Sequence, residues 1–502
     1  MNKKKKIQNY AIPLLVLLAL ASLFFVYVIF ASQMIPYRLA VIVSVFLIFL
    51  LMLCASLSLN KKTATAKIVG CCVSAIFSLA LIIGGFAILR GVQTMKRITE
   101  TKKEVSAICV YMRAEDSTDA SELRTDMQYG IMEVQDRENT DSAIATLETE
   151  LGSPLQLRLY PGLSKLVDAL LDKEVDAIII NSAFLDLLDD IEGYEGVAAK
   201  LREISKTHVE KEVSAEQKEK TKFKLPFFGT KKEEDSLAKK PFALYISGID
   251  SRIGLIEKSR CDVNILAVVN PETHQVALIT TPRDYYVPLS ISNGIPDKLT
   301  HAGMYGVDVS VDTLGMLYGL DIDYYFRVNF QGYINIVDAM GGVTVYVDKG
   351  FSTMAYNYPE GYIELKGNQA LDFVRHRKYI GDSGRAKNQL ALIKGVIKKA
   401  SSTDMLLNFS QILSAAEGAF ETNMPYDVMS QLVRDQIESG AEWNVVMYAV
   451  QGRGNSRIPY SMSESVYVSI PIQETVDDAK ELIRQVYAGE IITQPEARVY
   501  YD

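Results

Sequence analysis

Residues 243–252 read ALYISGIDSR, 260–270 RCDVNILAVVN, 277–289 ALITTPRDYYVPL, 297–306 DKLTHAGMYG and 371–389 LDFVRHRKYIGDSGRAKNQ. Three of these pieces join an apolar, β-rich run to charged groups at its end. Leu244–Ile246 leads to Asp250 and Arg252, Arg260 and Asp262 precede Val263–Val269, and Val276–Thr281 runs into Pro282, Arg283 and Asp284. Strand ends are where side chains from separate segments converge on a ligand in α/β proteins. Arg375, Arg377 and Arg385 add three more cations. Guanidinium forks match phosphate oxygens in bidentate fashion, so two acids among several arginines form the set that a metal-bound pyrophosphate requires.

Each residue also has a plainer reading. Asp250 could cap a turn and Asp262 could pair with Arg260, but two carboxylates beyond separate strands are also a site for Mg²⁺, with Mn²⁺ as a substitute. Arg283 follows Pro282, which fixes the turn and projects the next side chain outward; the plainer reading is a surface ion pair with Asp284. Arg375 and Arg377 are spaced i, i+2, which in extended chain places both on one face with His376 opposite. Such a pair repels unless an anion bridges it, and a solvated basic rim is the alternative. Arg385 and Gln389 share a face if a helix starts near Gly384. Lys298 supplies a further cation, and His301 reads as a buried, hydrogen-bonded histidine rather than a base. Leu314, Leu317, Phe326, Phe330 and Ile334 are core positions first, and some of them are candidates for lining an apolar groove.

The pieces G-I-D-S-R, R-C-D, T-P-R-D, D-K-L-T-H-A, V-N-F-Q-G-Y, V-D-A-M-G-G-V and R-H-R…G-D-S-G-R…Q occur in this order from Gly248 to Gln389. In this the chain resembles the LytR-CpsA-Psr (LCP) family, and within it the streptococcal-type capsule proteins. The resemblance implies an α-β-α layered domain with a mixed central sheet. It places metal ligands at Asp250 and Asp262, pyrophosphate contacts at Arg260, Arg283, Lys298, Arg375, Arg377, Arg385 and Gln389, and catalysis on Asp262, Arg283, Arg375 and Arg377. The activity implied is a phosphotransferase that moves capsular polysaccharide from an undecaprenyl pyrophosphate carrier to peptidoglycan through a phosphodiester, with capsule assembly proteins as partners. A polyprenyl pyrophosphate hydrolase and a non-catalytic lipid-binding regulator or scaffold are the alternatives. Cys261 replaces a small polar residue of the pattern, and Asn388 stands where many members carry arginine.

The chain has 502 residues and a formal net charge of -8, which speaks against nucleic-acid binding. Five cysteines and four histidines offer neither a disulfide framework nor a zinc spacing. After a basic stretch 1–10, apolar runs at 11–32, 39–59 and 68–89 each reach the roughly 20 residues that cross a bilayer. Lys3–Lys6, Lys61, Lys62 and Lys67 would lie on the cytoplasmic side, which puts everything after the third helix outside the cell. With residues to 97 assigned to the membrane part, 98–205 reads as a small α/β accessory domain and 206–240 as a charged linker containing an apolar island, Leu225–Phe228. The catalytic domain spans 241–489, with a helix over Asp404–Phe420, and 490–502 reads as a loosely packed tail.

Overall fold

A computed structural model describes residues 3–59, 63–100, 103–117, 119, 123–212, 239–249, 258–376, 381–402, 405, 412, 418 and 420–495. Leu225–Phe228 and most of Asp404–Phe420 therefore lie outside the described residues.

Three helices come first: α1 (Lys3–Ser32), α2 (Tyr37–Ser58) and α3 (Ala64–Glu100). Their segments Tyr10–Ser32, Tyr37–Ser58 and Thr65–Arg97 are long and apolar enough to cross a membrane. The third is longer than its apolar run suggested. Between Leu89 and Glu100 no proline interrupts the helix, so Arg90, Lys96 and Arg97 continue it beyond the apolar part. There Met95 packs with Phe420 and Tyr426, the Lys96 ammonium lies over the Tyr426 ring at 5.5 Å, and the Tyr426 hydroxyl donates to the Ser32 carbonyl at 2.5 Å.

The next unit contains β1 (Lys103–Arg113), β2 (Gln128–Met132), α4 (Arg137–Leu151), β3 (Gln156–Tyr160), α5 (Leu163–Leu171), β4 (Ala177–Asn181), the short α6 (Ser182–Leu185) and β5 (Leu201–Glu212). The sheet order is β3-β2-β4-β1-β5. Strand β2 lies in the polar stretch between β1 and α4, where no apolar run marks it. Lys206 onward reads as a linker in the sequence, whereas β5 carries those residues to Glu212, paired with β1 from Lys103↔Glu212 to Arg113↔Leu201. Strand β5 is a sheet edge, where charge suppresses pairing with other chains, and the same charge reads as a linker when only the sequence is in view.

The larger unit begins with β6 (Phe242–Ile249), β7 (Cys261–Asn270), β8 (Gln275–Thr280), the small ladder of β9 (Tyr286–Pro288) and β10 (Pro296–Lys298), then α7 (Ala302–Tyr305), α8 (Val307–Tyr318), β11 (Tyr324–Asn329) and α9 (Phe330–Ala339). It continues through β12 (Val343–Val347), β13 (Phe351–Ser352), β14 (Asn357–Tyr358), β15 (Gly361–Leu365), α10 (Gly367–Arg375), α11 (Gly381–Ala400), β16 (Phe420–Thr422), α12 (Tyr426–Ser439), β17 (Asn444–Ala449), the hairpin of β18 (Gly452–Arg457) and β19 (Val466–Pro471), and α13 (Gln473–Ala488). Six strands form one mixed sheet in the order β16-β11-β6-β7-β8-β17. β11 is parallel to β6 and β17 to β8, while β6-β7-β8 run antiparallel to one another.

The sheet is buried on both faces, which is why its central strands read as near-continuous apolar runs. Tyr245, Leu266, Val268, Ala277 and Ile279 pack under Leu314 of α8 and Val476, Leu482 and Val486 of α13. On the other face Ile265, Ala267, Val276 and Leu278 meet Leu390, Ile393 and Ile397 of α11. The result is the expected helix–sheet–helix layering. Leu314 is thus core, with Leu317 packed against the same cluster. The turn before β12 needs glycine, since Gly341 and Gly342 have φ of 72° and 97°.

The start of the expected tail is not loose. Ile492 is buried and its N–H donates to Gln275 Oε1 at 2.8 Å, while Asn444 Nδ2 donates to the Ile492 carbonyl at 2.9 Å. Residues 491–495 therefore run against the β8–β17 edge, satisfying buried amides that the sequence could not reveal as unmet.

Candidate active site

At the end of β7, Asp262 accepts a hydrogen bond from Arg283 Nη1 at 2.7 Å. Arg283 follows β8 and Pro282, and its Nε lies 3.4 Å from Asp284 Oδ2. Asp284 Oδ1 is 3.7 Å from Lys298 Nζ at the end of β10. Lys298 in turn reaches Asp190 Oδ2 at 2.8 Å, and the same oxygen lies 3.9 Å from Arg260 Nη1 and 3.9 Å from His301 Nε2. Arg260, Asp262, Arg283 and Lys298, which lie up to 38 positions apart in sequence, thus belong to one chain of alternating charges.

The chain is mostly enclosed. Side-chain exposure is 11% for Arg283, 3% for Lys298 and 16% for Asp190, rising to 26% at Asp262. Burial works against the charge on Arg283, but Asp262, Asp284 and Asp190 outweigh it and hold the guanidinium more firmly protonated than usual. Burial would likewise raise the Asp190 carboxyl, yet His301, Lys298 and Arg260 hold it well below the ordinary carboxylate range. The array is preorganised, with cations fixed before any ligand arrives.

His301 is fully buried, as the sequence suggested. Its Nδ1 lies 2.7 Å from Asp297 Oδ1 and 2.9 Å from Ser461 Oγ. Burial lowers its basicity, but Asp297 and Asp190 reverse that and raise it above the ordinary 6.5. A raised native value stabilises the fold fully below pH 6.5, and the contribution is lost as pH rises through the native value. The thermal unfolding midpoint should therefore fall as pH is raised through that window, and His301→Gln should flatten the slope; an unchanged slope in the variant would remove His301 from this role.

Arg260 depends on a close approach of backbone. A Cβ on Gly303 would collide with the Ser259 carbonyl and Cys261 Sγ, on either side of Arg260. Gly303→Ala should cost about 1–3 kcal/mol, as overpacking of a filled interior does. Thermal unfolding checks this, and a midpoint equal to wild type would show that the segment yields freely.

The remaining residues are carried by other layers. Arg375 is not in extended chain with Arg377; it ends helix α10, exposed, with its guanidinium 4.4 Å from the centre of the Phe330 ring. The helix from Gly367 runs through LDFVR because its apolar positions Ala370, Phe373 and Val374 face a core, and His376 turns extended. Arg385 and Gln389 are both buried on α11, one turn apart. Asn388 ties α11 to α10 by donating to the Phe373 carbonyl at 3.0 Å. Asp250 and Arg377 lie outside the described residues. Asp190 had no sequence signal: it sits in an acidic turn, Leu188–Asp190, that looks like solvated surface.

The profile of the LytR_cpsA_psr family matches residues 199–482, more than half of the chain. The chain belongs to the LytR-CpsA-Psr family. It is 32% identical over 245 residues to the polyisoprenyl-teichoic acid–peptidoglycan teichoic acid transferase TagU of Bacillus subtilis (strain 168), covering 47% of this chain and 78% of the relative. The TagU of Oceanobacillus iheyensis is 34% identical over 236 residues, covering 45% and 72%. Among solved structures, B. subtilis TagV overlaps 50% of this chain and 98% of its own at 24% identity and a TM-score of 0.43. TagT bound to LI-WTA overlaps 50% and 92% at 23% identity and a TM-score of 0.41. Arg260, Asp262, Arg283 and Lys298, all within the matched residues, lie in the charge chain described above.

Proposed function

We propose that the protein is a membrane-anchored transferase that moves a glycopolymer from a polyprenyl pyrophosphate carrier to peptidoglycan, forming a phosphodiester. Capsular polysaccharide on undecaprenyl pyrophosphate is the donor that its sequence motifs favour. The observation that carries this reading is the enclosed pair Arg283–Asp262, 2.7 Å apart at the strand ends and backed by Asp284 and Lys298. The relatives named as transferases of teichoic acid to peptidoglycan support the same reaction class.

In this reading Arg283 presents its fork to the phosphate being transferred and stabilises the charge that builds on the departing phosphate. Arg260, Arg375, Arg377, Arg385 and Gln389 hold the remaining oxygens, and Lys298 adds its charge to theirs from behind Asp284. Asp262 is the described carboxylate that fits a hard cation: it is partly exposed, it engages Arg283 through Oδ1, and a carboxylate has a second oxygen to offer. With Asp250 it would hold Mg²⁺, which when bound neutralises charge between the two phosphates. The accepting hydroxyl belongs to a peptidoglycan sugar. The three membrane helices keep the site near the carrier headgroup, with the catalytic part outside the cell.

The test is product analysis with full-length protein in liposomes, given a polyprenyl pyrophosphate-linked saccharide, Mg²⁺ and peptidoglycan. Saccharide joined to peptidoglycan through phosphate supports transfer. Free saccharide phosphate without transfer makes the protein a hydrolase, and intact donor makes it a binding protein. Protease added to right-side-out vesicles should remove the part beyond α3; protection of that part would reverse the orientation.

A further inference from the structure

Lys298 is 3% exposed, and the catalytic sheet does not hold it alone. Its nearest carboxylate, Asp190 at 2.8 Å, is 108 positions away in the N-terminal α/β unit, outside the residues that the family profile matches. One oxygen of Asp190 faces Lys298, Arg260 and His301 together. Beyond Lys298 come Asp284, then Arg283, then Asp262, so that Asp190 stands on the far side of Lys298 from the proposed reacting pair.

The position of Asp190 is built by the packing around it. The turn that carries it is anchored by Leu187 and Leu188, both fully buried. These belong to a hydrophobic cluster shared between the units, in which Phe184, Leu166 and Ile180 meet Met304, Met462 and Val466. The Phe184 and Tyr305 rings meet edge to face at 5.9 Å. Across the same seam the Lys258 N–H donates to the Val105 carbonyl at 2.9 Å, and the Ser164 hydroxyl donates to Glu464.

We propose that Asp190 is a positioning residue of the transfer site: it sets Lys298 and, through Lys298 and Asp284, the guanidinium of Arg283, so that the N-terminal α/β unit completes the site. This inference rests on the transferase reading above. Without the Asp190 carboxylate, Lys298 is too enclosed to turn to water and moves onto Asp284, which is already within 3.7 Å. Asp284 is then drawn away from Arg283 Nε, and the fork keeps Asp262 as its one strong partner. The loss falls on the chemical step, because a slightly misdirected fork still attracts an anion but no longer meets the charge that develops on it. Removing one negative charge does not weaken the site's attraction for pyrophosphate, so KM for the donor holds or falls.

Full-length wild type, Asp190→Asn and Asp190→Glu in liposomes test this with the transfer assay. Asp190→Asn should lower kcat by about tenfold or more with KM unchanged or reduced, since small misplacements of this kind cost up to about 10²-fold. Asp190→Glu should recover much of kcat. In the background of Lys298→Met, Asp190→Asn should cost nothing further, because contacting residues on one pathway are not additive. An unchanged kcat overturns the inference, and a raised kcat does so by making Asp190 an obstruction. Parallel losses in kcat, KM and thermal stability with no recovery in Asp190→Glu also overturn it, leaving a merely structural contact. Wild-type protein that transfers nothing defeats the transferase reading itself, and this inference with it, before any variant is compared.

Discussion

Arg283→Ala should reduce transfer of the lipid-linked saccharide by about 10²–10³-fold, the loss seen when one preorganised donor to a developing oxyanion is removed. The size follows from the enclosure of the side chain. Arg283 is 11% exposed, so no water column replaces its two donors when the side chain is cut back. The variant also leaves Asp262 without the partner that sits at 2.7 Å. Arg283→Lys keeps the charge but cannot fork between Asp262 and Asp284, and should recover only part of the rate. Transfer by Arg283→Ala at the wild-type rate would take this residue out of the reaction.

The largest effect on stability belongs to a pair remote from that chemistry. Arg327 on β11 is fully buried and its Nε lies 2.8 Å from Glu421 Oε1, across the β11–β16 ladder where the two residues are in register. Arg327→Met takes this buried partner away from the Glu421 carboxylate, and breaking a buried pair on one side costs about 3–5 kcal/mol. For a unit of this size that lowers the thermal midpoint by roughly 10 °C. The double variant Arg327→Met with Glu421→Leu should recover most of the loss, since two well-packed apolar residues carry no stranded charge. If the single variant melts with wild type, the pair is solvated in a way that its burial contradicts.

Much of the catalytic fold was legible because its strands are buried on both faces and so declare themselves as apolar runs. Val263–Val269 and Val276–Thr281 became β7 and β8, with Asp262 and Arg283 at their ends as the motif spacing indicated. Helix α11 put Arg385 and Gln389 on one face for the same periodic reason. The errors share a cause, which is that long-range partners override local signal. Arg375 read as extended from its i, i+2 spacing with Arg377, but the core contacts of Phe373 and Val374 keep it in a helix. The charged run to Glu212 read as a linker because β1, about a hundred residues earlier, supplies its backbone partners. Ile492 read as tail because Gln275 is 217 positions away. Asp190 is the extreme case: an acidic turn acquires its meaning from a buried lysine in another unit, and neither composition nor period marks such a contact.

Arg283 and its neighbours are expected to surround a pyrophosphate. A crystal structure of the full chain with a short-chain polyprenyl pyrophosphate and Mn²⁺ tests it most directly. Phosphate oxygens should lie within hydrogen-bond distance of Arg283, with Mn²⁺ anomalous signal at Asp262. Phosphates seated elsewhere on the molecule, with Arg283 still closed on Asp262 and Asp284, would contradict it.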